Sequence, residues 1–102
     1  MSQDGRVIRH VIIRGKVQGI GFRVWTERQA LSRGLEGWVR NRRDGSVEAL
    51  FAGPEASVKL MIAQLRKGAP LSKVDRIDER EADTLQLAAK RSADKFSLLP
   101  TA

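Results

Sequence analysis

The chain has 102 residues, the size of one domain with one modest core, and 41% of them are hydrophobic. Its 19 basic and 12 acidic residues give a net charge of +7, which favours an anionic partner (nucleic acid, a membrane surface or a phosphorylated small molecule) without choosing among them. With no cysteine and one histidine, His10, the chain has no disulfide, no thiolate nucleophile and no cysteine-based or multi-histidine metal site.

Residues 1–5 read as a frayed start and lack the charged-then-apolar layout of a signal peptide. No apolar run approaches the ~20 residues that span a bilayer. These absences favour a cytoplasmic protein. From Arg6 to Arg14 the pattern predicts a strand, with Val7, Val11 and Ile13 on one face and Ile8, His10 and Ile12 on the other. Apolar residues on both faces place it centrally in a sheet. His10 is given no catalytic role. After a glycine-rich turn, Phe22 to Arg33 reads as a helix with Phe22, Trp25, Ala30 and Leu31 as an imperfect apolar stripe, ended by Gly34. Leu35–Arg42 and Val47–Phe51 form a hairpin around Asp44-Gly45.

Gly53-Pro54 is expected to break that strand, with Pro54 opening a second helix through Val58, Met61, Ile62 and Leu65. Gly68 and Pro70 close it. Val74 to about Arg80 reads as a charged edge strand. Residues 81–95 are hard to assign: Thr84–Lys90 fits a loop, a strand extension or a short helix. Phe96-Ser97-Leu98 closes the pattern as a short strand. The order predicts an α+β, ferredoxin-like split βαβ sandwich, an antiparallel sheet with two helices on one face, in a single domain over 1–102.

Chemistry concentrates in Gly15-Lys16-Val17-Gln18-Gly19-Ile20-Gly21-Phe22-Arg23. Glycines permit positive φ and close approach of a ligand to the backbone. Successive N–H groups in such a turn can form an anion nest, and the helix that follows adds free donors. Arg23 adds a planar fork suited to phosphate. A tight strand-to-helix turn with an exposed arginine fits the same residues, so both readings stay open on this stretch alone.

A second dense stretch is Gly37-Trp38-Val39-Arg40-Asn41-Arg42-Arg43-Asp44-Gly45-Ser46-Val47, closing at Gly53. Together the two stretches closely resemble the signatures of the acylphosphatase family, in order and spacing, and the resemblance covers roughly Arg6 to Leu99. It implies hydrolysis of acyl phosphates, with no cofactor and no metal. Carried over, it makes Arg23 the phosphate-binding catalytic arginine and Asn41 the residue that holds the attacking water. The backbone of Gln18, Gly19, Ile20, Gly21 and Phe22 completes the cradle. It also implies an acyl phosphate as small-molecule substrate and inorganic phosphate as product and inhibitor. The expected protein is a monomer with no specific nucleic acid and no membrane as partner. Without the resemblance, the favoured reading of Asn41 is a strand-end residue capping the Asp44-Gly45 hairpin.

Other residues weigh less. Asp75, Asp78, Glu79, Glu81 and Asp83 read as a solvated strand and loop. Arg40, Arg42 and Arg43 either steer anions or are surface charge. Trp25 and Trp38 read as core or support. The rival from another class is an RNA-binding module of the same element order, since Gly19-Ile20-Gly21-Phe22-Arg23-Val24 echoes part of its glycine–aromatic motif. That motif belongs on the third strand, whereas the echo lies between the first strand and the first helix. A non-catalytic partner-binding domain is a third possibility.

Overall fold

The alternating apolar residues of Arg6–Lys16 form β1, which lies between two partners in a five-stranded sheet. A computed structural model describes residues 5–102. The frayed start expected for residues 1–4 lies outside them, whereas the Gly5 carbonyl accepts a hydrogen bond from Glu55 N–H at 2.8 Å. The remaining elements in chain order are α1 (Phe22–Ser32), β2 (Glu36–Asn41), β3 (Val47–Pro54), α2 (Glu55–Lys67), β4 (Lys73–Glu81), α3 (Thr84–Leu87) and β5 (Phe96–Leu98).

The sheet order is β4-β1-β3-β2-β5. The four longer strands are antiparallel to their neighbours, and β5 closes the edge parallel to β2. The sheet is therefore mixed, because the connection after β4 crosses to the far edge and returns in the direction of β2. Val11 and Ile13 of β1, Ala49 and Phe51 of β3, and Val39 of β2 share one face and join Phe22 and Ala30 of α1 and Val58, Met61, Ile62 and Leu65 of α2 in the core. This is the ferredoxin-like α+β arrangement expected from the element order.

Two local expectations are corrected. The buried stripe of α1 is Phe22, Thr26 and Ala30. Trp25 is partly buried against the core, and Leu31 is 45% exposed. Thr26 takes the inward position at the four-residue spacing although its type reads as polar, and its buried hydroxyl has no hydrogen-bond partner among the described residues. Gly53-Pro54 does not interrupt β3, because Pro54 at its end still pairs with Arg6. Its φ of −58° and ψ of 140° suit an extended residue that also starts α2. Of the three readings open for Thr84–Lys90, the structure shows the short helix, Thr84–Leu87, N-capped by the Asp83 side chain, which accepts from Gln86 N–H at 3.0 Å.

Gly34 ends α1 as expected. Its φ is 70°, its N–H reaches the Leu31 carbonyl, and the N–H of buried Leu35 reaches the Ala30 carbonyl. This pair of bonds is a Schellman motif, and it turns the chain directly into β2.

The sheet face away from α1 and α2 carries Trp38, which is buried and donates Nε1–H to the Gln86 carbonyl at 2.8 Å. Arg40 lies over the Trp38 ring at 4.9 Å, and both Arg40 and His10 reach Glu48 at 2.7 Å. The indole thus supports α3 and a charged network.

Candidate active site

β1 delivers the chain into the glycine turn and α1 carries it away. Gly19 and Gly21 both have φ of 78°, a conformation disfavoured for residues with a Cβ. A Cβ on either would meet no other atom within 4 Å, so the glycines serve backbone conformation and leave the loop's outer side open. Gly21 is the N-cap of α1, and its carbonyl accepts the first helical bond from Trp25 N–H at 3.0 Å. Among the described residues, no carbonyl accepts from the N–H groups of Gln18 through Val24. A run of unpaired donors therefore borders the loop and the positive end of the helix dipole.

Gln18, Gly19, Gly21, Phe22, Arg23 and Asn41 line one cleft of about 180 Å³, together with Val17 and Val24. The Phe22 ring is buried in the core, whereas Ile20, partly buried against that core, does not line the cleft. Arg23 is half-buried with no carboxylate partner among the described residues. Asn41, at the end of β2, has its main chain held on both sides. It pairs with Val47 of β3, and its carbonyl accepts from Ala102 N–H at 3.0 Å. Its side chain has no hydrogen-bond partner among the described residues.

Sequence reasoning assigned Gln18 only a backbone N–H. Its side chain joins the two halves of the site: Nε2 donates to the Arg42 carbonyl at 2.8 Å and to the Ser46 carbonyl at 2.7 Å. One amide nitrogen has two protons, and these carbonyls receive both. The hairpin is closed by Arg42 N–H to the Ser46 carbonyl at 2.9 Å and turned by Gly45, φ 94°. Asp44 accepts from the Ser46 hydroxyl and N–H, and these bonds hold its carboxyl below its ordinary value, helped by Arg42 and Arg14. The tail's pairing with Asn41 was likewise missed, and no sequence pattern after Leu98 marks it. For Gln18 there was one signal, a long amide side chain beside the glycines.

The flanking arginines divide. Arg40 turns to the other face and pairs with Glu48, and Arg42 pairs with Asp44 at 3.9 Å. Asp78 pairs with Arg14 and Arg76, and Glu79 with Arg9 and Arg66, which accounts for part of the acidic set as surface ion pairs. No cluster of three or more His, Cys, Asp or Glu that could hold a metal occurs among the described residues. Phe51, the aromatic of the third strand, is buried against Phe96 with ring centroids 5.7 Å apart, and offers no stacking surface for a base. No helix among the described residues is long and apolar enough to cross a membrane.

A profile of the acylphosphatase family matches residues 9–96. An acylphosphatase of Bradyrhizobium diazoefficiens is 55% identical over 96 residues, which span 94% of this chain and 97% of that protein. The crystal structure of acylphosphatase from Bacillus subtilis matches with a TM-score of 0.78 at 35% identity, covering 91% of this chain and 98% of that one. An acylphosphatase structure from Coxiella burnetii gives 0.81 at 28% identity, covering 97% of this chain and all of that one. Both glycine-bearing stretches fall within the residues matched by the profile, so the chain belongs to the acylphosphatase family.

Proposed function

We propose that this protein hydrolyses acyl phosphates without a metal, with Arg23 and the Gln18–Phe22 backbone holding the phosphoryl group and Asn41 orienting the water. The observation that carries this reading is the run of unpaired N–H donors beside an unpaired Arg23, in a cleft that also contains Asn41. The phosphoryl oxygens accept hydrogen bonds from these N–H groups and from the guanidinium. Water attacks phosphorus in line with the acyl oxygen. The phosphorus–oxygen bond to the acyl group breaks and the electron pair leaves with the carboxylate, while a proton of the water passes to a phosphate oxygen. The products are a carboxylate and inorganic phosphate.

The carboxylate is a good leaving group, so the reaction needs position and charge stabilisation more than an activated nucleophile. The Asn41 amide can donate and accept, which suffices to aim a water but not to deprotonate it strongly. Gln18 fixes the distance between cradle and Asn41 by tying the loop to the hairpin. Inorganic phosphate, as product, binds the same cradle and inhibits competitively.

Phosphate release from benzoyl phosphate tests the proposal, with p-nitrophenyl phosphate as the monoester control and EDTA as the metal control. Rapid turnover of the first, negligible turnover of the second and no effect of EDTA are expected. Activity lost in EDTA and restored by a divalent cation would overturn the metal-free mechanism.

A further inference from the structure

The cleft at the glycine loop, at about 180 Å³, is smaller than the roughly 300 Å³ at which pockets begin to enclose whole small ligands. It suits a phosphoryl group, so the organic part of a substrate must cross its rim. Most of the lining side chains offer little to a carbon skeleton. Val17 and Phe22 are buried in the core, and Gly19 and Gly21 have no side chain. Gln18 is bound to the hairpin carbonyls, and Arg23 and Asn41 are polar. Val24 remains. It follows Arg23 in the first turn of α1, lines the same cleft and is 41% exposed.

We propose that Val24 is the specificity-determining residue for the acyl group, and that it directs the protein toward acyl phosphates with an apolar acyl group over small or charged ones. This rests on the reading of the cleft as a phosphate cradle. With the phosphoryl group held by Arg23 and the loop, the acyl carbon skeleton lies across the neighbouring valine and removes its surface from water. A charged acyl group would instead set its own hydration against that surface. Contact at an open rim is one-sided, so the discrimination falls below the roughly 10–200-fold that a closed apolar pocket gives per methylene.

The experiment compares kcat/KM for benzoyl, acetyl and succinyl phosphate. Wild type is expected to prefer benzoyl phosphate over both. Val24→Thr keeps the shape and adds a hydroxyl, and should lower the benzoyl-to-acetyl ratio about three- to ten-fold, a range set below the closed-pocket value. Val24→Leu should raise the ratio. Leu85→Ser, which alters an 82% exposed leucine on α3, is the control and should leave the ratio unchanged. An active wild type whose ratio is unmoved by both Val24 variants, or is moved equally by Leu85→Ser, removes the role of Val24 alone. A wild type inactive on all three substrates removes the cradle reading, and this inference with it.

Discussion

Arg23 and Asn41 reach one cleft from different elements, the start of α1 and the end of β2, so the roles proposed for them, binding and water orientation, can be separated by substitution. The Asn41 side chain makes no hydrogen bond among the described residues, while its main chain carries the sheet pairing. Asn41→Ala should therefore fold normally, as judged by circular dichroism, and bind inorganic phosphate with near-normal affinity. Its kcat should fall on the order of 10²–10³, the effect of losing one positioned hydrogen-bond partner in the transition state. Near wild-type kcat in a folded variant would return Asn41 to a hairpin-end role. That these two residues meet in one cleft was legible because they sit in long motifs of fixed spacing. The Gln18 side chain was not, because its partners are carbonyls 24 and 28 positions away and main-chain acceptors leave no trace in residue type.

Among the elements, legibility followed periodicity. α2 was readable because Val58, Met61, Ile62 and Leu65 are all apolar and all buried. α1 was blurred by Thr26 on its inner face. The extent of β3 was misjudged because proline was taken as a stop, where at a strand end it forfeits little. The connection from α2 to β4 hides another feature. Leu71 has a φ of 70° and is 80% exposed, in a turn closed by Ser72 N–H to the Ala69 carbonyl at 3.0 Å. Leucine is a poor residue for that conformation, whereas asparagine tolerates it. Leu71→Asn loses almost no packing and should stabilise the fold by about 0.5–1 kcal/mol, comparable to other backbone-compatible replacements. Urea denaturation with an unchanged slope would read this as a higher midpoint, and a lower midpoint would show that the leucine makes an apolar contact.

Acid stability belongs to the molecule as a whole, because it links strands on the open face. Burial raises the Glu48 carboxyl, but hydrogen bonds from Arg40 and His10 outweigh this and leave it below its ordinary 4.5. The unfolded chain then binds the proton more readily than the folded one. The contribution is complete above about pH 4.5 and is lost as pH falls through the lower folded value. Asp44 and Asp78, also lowered, act in the same direction through exposed hydrogen bonds to Ser46 and to Arg76 and Arg14. The melting temperature should drop steeply below that pH. Glu48→Gln should cost about 1–3 kcal/mol at neutral pH, as expected for charged hydrogen bonds, and should flatten the acid limb. An acid limb identical to wild type would assign acid unfolding to other carboxylates. The ferredoxin-like fold was legible from the element order, but the parallel pairing of β5 with β2 and this network, which joins β1, β2 and β3 across the sheet, were not.

Strand order in space also has a consequence in time. Every side chain proposed for the reaction lies between Gln18 and Asn41, and the hairpin beside them is complete by Ala52. The strands that close the sheet, β4 beside β1 and β5 beside β2, come later in the chain, and the pairing of Asn41 with the tail waits for Ala102. During translation the half that carries the proposed site therefore emerges first, with the edges of β1 and β2 open. Such edges recruit other strands, and apolar surface that has yet to be covered aggregates. The nascent chain carries the proposed site residues well before it carries the strands that protect them, and a ribosome stalled between α2 and β4 would display both open edges at once.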